Sequence, residues 1–416
     1  MAWRFHAMNL PTRTWVHRDL PLRDAKVGPA VSGPYQITGT LAPDQADLIG
    51  ADGLPLLAEW STLILAEEGD VLRGGGIVTA MDTTGPTLDL TATGFTAYPP
   101  GQPLVSDLVW GGPTAGTTGT GADPADVIRA LWAHLQGLPG GDLGVQIDAT
   151  ATPYRVGAWY NAAKLPTDTE PDPDPAEIEP EIPIDQVPPP GYTKPRPARG
   201  KQVYWQYALR HYDNVDVGAK IEELAKQAPL DWREEYAWAD ADKTDVVLRL
   251  RLGHPRLGRP RPDLVFVEGD NVTELVGIRR DAGDYANVIV ARGAGEGPAQ
   301  LTQTVSRGDG RLRRARALDR GEATTAAALR ALGAEELLRS TQLDDITSFT
   351  LDGSHSNAPL GSFEPGDDVF VQTHTGWRTA GVWVRVTALD YTPGDQRPTV
   401  TVTCARSDSF DYSGGN

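Results

Sequence analysis

The sequence has one cysteine, Cys404, among 416 residues. A single thiol allows no intrachain disulfide and excludes a cysteine-based zinc site, and it fits folding in a reducing compartment. Cations are also short: 38 Lys and Arg stand against 56 Asp and Glu, a net charge of −18. So acidic a chain argues against gripping DNA or RNA, which needs clustered cations to release counterions, although nucleic acid can pass beside it without sticking. Long apolar runs are missing, and none approaches the ~20 residues that span a bilayer. The opening "MAWRFHAMNLPTRTW" has no apolar core segment and no small-residue cleavage site, so the expectation is a soluble chain without a signal peptide.

Glycine (45) and proline (34), in contrast, make up nearly a fifth of the residues. That fits many short strands joined by turns, and the length suggests two to four domains. Residues 1–105 read as an antiparallel β domain. Tyr35, Ile37 and Leu41 alternate in "GPYQITGTLA", where Gly39 is expected to weaken or bulge the strand. Leu63–Ala66 and Val71–Met81 read as a hairpin turning at Glu67–Asp70, and Leu88, Leu90 and Ala92 share one face of the next strand. Residues 106–166 hold a helix with Asp123 as N-cap, Pro124 in its first turn and Gly137 at its end; Val127, Ile128, Leu131 and Leu135 form its apolar stripe. Residues 167–199, acidic and rich in proline, read as an extended linker or insertion, with a partner-binding acidic segment as the alternative. Residues 200–285 read as α+β, with a helix carrying Ile221, Leu224, Ala225 and Ala228 up to Pro229 and strands near 245–252 and 263–278. Residues 286–408 read as strands, a helix interrupted by Gly333, and more strands, in a small barrel or sandwich; 409–416 is a tail.

Motifs that carry chemistry are few. "GAGEG" (Gly293–Gly297) lacks dinucleotide-loop spacing and reads as a corner between strands; "RGGGIV" (Arg73–Val78) reads as a hairpin turn or a bulge. The histidines, His6, His17, His134, His211, His254, His355 and His374, have no metal-ligand spacing. No nucleophile elbow is present, and Cys404 sits in a strand expected to be buried. Glu234, Glu235, Asp240 and Asp242 could supply a carboxylate pair for glycoside hydrolysis, with Trp232 and Trp238 stacking on sugar; the other reading makes both Trp packing residues. Arg307, Arg311, Arg313, Arg314, Arg316 and Arg320 reverse the local charge and suit an acidic neighbouring subunit better than nucleic acid, because no aromatics interleave. "RGD" at Arg307–Asp309 is too short to mean anything alone.

One order of motifs stands out: "YANVIVARGAGEG", the helix "TTAAALRALGAEELL", "FEPGDDVFVQT" and "VWVRVTALDYTPGDQRPTVTVT", preceded by "DWREEY" and "FVEGDNVTELVGIRRD". The set resembles the baseplate-hub or tail-associated minor tail proteins of tailed bacteriophages, especially siphophages of actinobacteria. It covers residues 200–406 well and the first hundred more loosely; the Pro-rich stretch departs from the pattern. The resemblance implies a mostly β chain with an α+β middle region, built from two tube-type β-barrel domains plus peripheral domains. It further implies a homotrimer whose six barrels continue the tail tube at the virion's tail tip. Its partners would be the distal tail protein, the tape-measure protein and tail-tip or fibre proteins, with the host surface reached through them. Genomic DNA would pass through the lumen without specific binding. No catalytic residue, cofactor or metal is expected. The alternatives are a tail-associated cell-wall glycoside hydrolase and a receptor- or carbohydrate-binding module. In the closing strands, Val369 and Val371 are expected on one face opposite Phe370 and Gln372, and Val382, Val384 and Val386 opposite Trp383 and Arg385. One core face and one contact face is what a tube wall needs.

Overall fold

Alternating apolar residues build an antiparallel sheet from the first hundred residues: β1 (Trp3–Asn9), β2 (Thr14–His17), β3 (Arg23–Gly28), β4 (Gln36–Leu41), β5 (Thr62–Glu68), β6 (Val71–Thr84) and β7 (Thr87–Thr93). Their order is β2-β1-β5-β6-β7-β4-β3, with every pair antiparallel. The structure is a computed structural model describing residues 3–42, 57–84, 86–111, 121–161, 203–274, 279–280, 282–283, 285–293, 300–320, 326–341, 344–375, 378–393 and 398–407, with 55, 295 and 297. The Pro-rich stretch at 167–199 and the tail at 409–416 lie outside them. The chain divides at Leu257 and Gly258 into two units.

In the first unit, Gly39 neither bulges nor interrupts β4, whose register with β7 runs unbroken from Gln36 to Leu41. A Cβ at Gly39 would lie 2.5 Å from the Leu22 side chain, so the missing side chain makes room for buried Leu22. The irregularity falls instead on β3, between Arg23 and Lys26. Of the two readings of "RGGGIV", the bulge is found: Ala66 pairs with Gly74 but Glu67 with Leu72, leaving Arg73 as the extra residue inside β6.

After β8 (Leu108–Trp110), helix α1 (Pro124–Gln136) begins and ends as its sequence predicts. Asp123 caps it, accepting from the Ala125 amide at 2.9 Å, and Val127, Ile128, Leu131, Trp132 and Leu135 are buried. The same carboxylate also accepts from the Thr152 amide at 2.7 Å and hydroxyl at 2.8 Å. Asp123→Ala therefore removes a cap worth ~1 kcal/mol and strands a buried amide at ~1 kcal/mol or more. A loss of about 2 kcal/mol is expected from the denaturant midpoint at unchanged slope.

Next come β9 (Val145–Ile147), β10 (Ala158–Asn161), β11 (Val203–Leu209), α2 (Val217–Gln227), β12 (Asp231–Trp238) and β13 (Val246–Gly253). Two three-stranded sheets form, β10-β11-β8 and β12-β13-β9, the latter with β9 parallel to β13. Val246, Leu248, Leu250 and Leu252 face inward from β13 and join α1 and α2 in a core continuous with Met8, Leu63, Leu65 and Ile77 of the first sheet.

The second unit opens with β14 (Pro260–Val267), then β15 (Arg279–Arg280), β16 (Val288–Arg292), β17 (Thr302–Ser306), β18 (Ala315–Asp319), α3 (Ala326–Thr341), β19 (Asp344–Asp345), β20 (Ser348–Asp352), β21 (Asp368–Thr375), β22 (Arg378–Thr392) and β23 (Thr399–Arg406). The main sheet has the order β14-β21-β22-β23-β20, with β14 parallel to β21 and the rest antiparallel. Residues 260–267 thus belong with the C-terminal strands, because Phe266 packs on Phe349 and Phe363 at 5.6 and 5.2 Å between ring centroids. A second sheet, β17-β16-β18, carries α3 over Ile289 and Ala291. Gly333 marks the close approach: a Cβ there would meet Val305 at 3.1 Å and Ala291 at 3.5 Å. No helix among the described residues is long and apolar enough to cross a membrane.

Candidate functional site

Successive side chains of a strand leave on opposite faces, and that decides the fate of the carboxylate pair. Glu234 points from β12 into the core and is fully buried, whereas Glu235 points outward to Arg249 and Arg251 at 3.5 and 3.4 Å. The two do not share a cleft. Asp240 is taken up locally by Thr244, whose amide donates to it at 3.0 Å, and Asp242 is exposed. The sugar-stacking reading fares no better: Trp238 packs against His6 at 5.6 Å and Trp15 at 5.8 Å between centroids, and half-buried Trp232 packs on the core.

What the fold builds around Glu234 is a tight cradle. Its Oε1 accepts from the Thr96 amide at 2.8 Å and the Thr96 hydroxyl at 2.5 Å, and its Oε2 accepts from the Tyr236 hydroxyl at 2.7 Å. Tyr236 lies against Tyr35 and Phe95 at 5.8 and 5.6 Å. Both side chains fit only because glycines oppose them: a Cβ on Gly94 would lie 1.9 Å from Glu234 Oε2, and one on Gly75 2.3 Å from the Tyr236 ring. Burial pushes the Glu234 carboxyl up to about 7, against the hydrogen bonds from Thr96 and Tyr236 that favour its ionised form. Burial also raises the Tyr236 phenol well above its ordinary value, helped by the Glu234 charge.

Nearby, a cavity of about 360 Å³ opens between α1, α2 and β13, lined mostly by apolar groups including Trp132, Trp232, Ile128, Ile221 and Leu250. Its ionisable lining group is Glu222, paired with Lys226 at 3.5 Å. This set can hold an apolar group, but it does not present an acid–base pair.

A second charge cluster lies where β1 meets the turn between β12 and β13. His6 Nε2 contacts Glu67 Oε2 at 2.7 Å, and Lys243 reaches both Glu67 and, at 2.8 Å, Asp70. Burial pushes the Glu67 carboxyl up, but hydrogen bonds from Lys243 and His6 outweigh it and hold it below its ordinary value. Around it, Arg18 stacks over the Trp15 ring at 4.2 Å, Trp15 donates to the Thr244 carbonyl at 2.8 Å and Arg18 to that of Lys243 at 2.7 Å. The β1–β2 hairpin is thereby clasped to the turn between β12 and β13. The signal was present in "WRFHAMN" and "LILAEE", where charged groups interrupt strands otherwise apolar. Lys243→Met leaves Glu67 with His6 alone; because Lys243 is a quarter exposed, the cost is expected nearer 2 kcal/mol than the ~3–5 of a fully buried broken pair. Thermal unfolding checks it.

The remaining motifs are structural. Gly293 and Gly297 lie between antiparallel β16 and β17, with the Gly293 amide donating to the Leu301 carbonyl at 2.7 Å; residues 294, 296, 298 and 299 are outside the described residues. Asp309 of "RGD" accepts from Tyr285, from Arg311 at 2.6 Å and from Asn287 at 3.3 Å; these hydrogen bonds, Tyr285's first, hold its carboxyl well below the usual carboxylate range. Cys404 is buried and donates to the Ile346 carbonyl at 2.9 Å. His211 meets Asp107 at 2.7 Å, and His254 approaches the Ala228 carbonyl at 3.0 Å. Among the described residues, no group of three or more His, Cys, Asp or Glu side chains is placed to hold a metal.

In the closing meander, Val369 pairs with Val384 and Val371 with Val382; Val369 and Val371 are buried, whereas Phe370 and Gln372 are half-buried. The return strand departs from simple alternation. Val384 and Val386 are buried, but so is Arg385, whose Nε donates to the Gly366 carbonyl at 3.2 Å, and a bulge at Thr387 moves the core face to Leu389 and Tyr391.

No protein-family model matches the chain, and no curated protein matches it in sequence. Among solved structures, the 43 kDa tail protein of prophage MuSo2 from Shewanella oneidensis aligns over 98% of this chain and 100% of its own, at 11% identity and a TM-score of 0.51. The chain shares its fold with a phage tail protein. A tail protein from Neisseria meningitidis MC58 aligns over 98% and 97% of the two chains at 12% identity and a TM-score of 0.47. Prophage tail protein gp18 from Listeria monocytogenes EGD-e aligns over 96% and 94% at 10% identity and a TM-score of 0.46. The mostly β architecture with an α+β region is the fold shared with the MuSo2 protein.

Proposed function

We propose that the chain is a structural baseplate-hub or minor tail protein of a tailed bacteriophage, without catalytic activity. The observation that carries this is the fold likeness to a prophage tail protein along the full length of both chains. The sequence motifs add the finer reading of a siphophage of actinobacteria, whose virion carries the protein at the tail tip. Three copies close a ring, each giving two tube-type barrel domains: one within residues 1–105, the other within 286–408 and joined by the strand at 260–267. The ring joins the tail tube to the tip and lines the channel. Distal tail, tape-measure and tail-tip or fibre proteins are its neighbours. An acidic lumen, consistent with the charge of −18, lets genomic DNA slide without counterion-releasing contacts. The opposed faces of Glu234 and Glu235 speak against the hydrolase alternative.

Imaging of virions with an antibody or tag on this chain tests the reading. Label at the tail tip is expected; label elsewhere in the particle, or none, overturns it.

A further inference from the structure

The loop between β17 and β18 differs from the rest of the molecule. From Arg307 to Arg314 it holds four arginines against one aspartate, in a chain whose net charge is −18. Arg307, Arg311, Arg313 and Arg314 are exposed, and Leu312 among them is 88% exposed. A lone exposed leucine needs no explanation. An exposed leucine framed by cations, on a loop held rigid from within, does.

The rigidity comes from two side chains. Asn287 is buried; its Oδ1 accepts from the Arg314 amide at 2.8 Å, and its Nδ2 donates to the Leu312 carbonyl at 3.1 Å. The backbone closes the base, with the Arg307 amide donating to Asn287 and the Asn287 and Val288 amides to Arg314, each at 3.0 Å. Asp309 ties the other arm, taking the Tyr285 hydroxyl and the Arg311 guanidinium, which lies 5.2 Å from the Tyr285 ring centre. Gly310, at φ +77°, makes the turn that this clamp needs. The clamp consumes Asp309 and Arg311 and leaves Leu312, Arg313 and Arg314 directed outward. Ordering such a loop in advance lowers the entropy lost on docking, and guanidinium groups pair with carboxylates in forked geometry.

We infer that this loop is a preformed docking knob for an acidic protein surface, and that its occupant is a neighbouring copy of this chain. Charge selects the partner: a second copy is strongly acidic outside this loop, so each ring contact sets a basic knob on an acidic face. A head-to-tail contact of this kind is what closes a cyclic ring. The inference rests on the ring reading above and names the contact that holds it.

The test compares the full chain with Leu312→Asp/Arg313→Glu/Arg314→Glu, by sedimentation velocity and native mass over a dilution series. The clamp residues are untouched, so the unfolding midpoint is expected to stay put while the trimer's dissociation midpoint rises about 100-fold. Leu312→Ala alone is expected to raise it about tenfold, and high salt to weaken the unmodified trimer. A trimer whose dissociation neither variant changes overturns the knob and leaves the ring standing. A chain that stays monomeric at every concentration overturns both. Binding of a short DNA duplex that the triple variant abolishes also overturns the inference, by making the loop a nucleic-acid contact.

Discussion

Gly94→Ala is expected to destabilise the first unit by about 3 kcal/mol. The new methyl carbon would lie 1.9 Å from Glu234 Oε2 and 2.4 Å from its carboxyl carbon, well inside contact distance. Glu234 cannot swing away, because it is fully buried and held by three hydrogen bonds from Thr96 and Tyr236. Overpacking a tight core costs ~1–3 kcal/mol, and each buried donor left without its acceptor adds ~1 kcal/mol or more. The loss is read from chemical denaturation. Glu234→Ala in the same chain removes the obstacle, so the double variant is expected to be more stable than the sum of the singles predicts, by ~1 kcal/mol or more. Strict additivity would show that the two groups do not collide.

Glu234→Gln is expected to change the sign of its effect with pH. The carboxyl's ordinary value is 4.5 and burial lifts it to about 7 in the folded chain. Between those values the folded state keeps a proton that the unfolded state releases. Stability from this group is therefore fully present below the lower value and is lost as pH rises through the higher one. Each tenfold difference in proton affinity between the two states is worth ~1.4 kcal/mol, so the loss totals about 3 kcal/mol. Gln keeps the shape and still accepts both Thr96 donors, but it gives up the acceptor of the Tyr236 hydroxyl, at ~1 kcal/mol. The variant should thus be slightly less stable than the parent in acid and about 2 kcal/mol more stable above neutral pH. Unfolding curves across that range decide the matter; a constant difference would mean that Glu234 does not titrate between them.

Period and end signals made much of the fold readable. The 62–84 hairpin, the Asp123-capped helix and the helix ending before Pro229 follow from short-range patterns, because each buries an apolar face that its own spacing defines. Long-range exchanges were not readable. Gly39 looked like a weak point because Leu22, which fills its place, comes from another part of the chain. The bulge at Thr387 breaks the alternation of β22 beyond Val386, so extrapolating from Val384 and Val386 misses the shift to Leu389, while Arg385 keeps the opposite face and is buried there by the Gly366 turn it donates to. Glu234 beside Glu235 looked like paired acids because sequence adjacency conceals that a strand sends them to opposite faces. Asn287 was visible only as part of a motif; that it anchors the arginine loop depends on an adjacent parallel strand, β18, that spacing could not locate.

The two glycine cradles also bear on how relatives of this chain could be recognised when only about a tenth of the residues agree. Gly94 and Glu234, and Gly75 and Tyr236, behave as paired volumes rather than as separate positions. In a relative, a side chain at 94 or 75 requires a smaller group at 234 or 236, and a larger residue on the strand is admitted only where the opposing position stays bare. Substitutions that change together at these distant sites would trace descent of the fold where plain identity has faded into background.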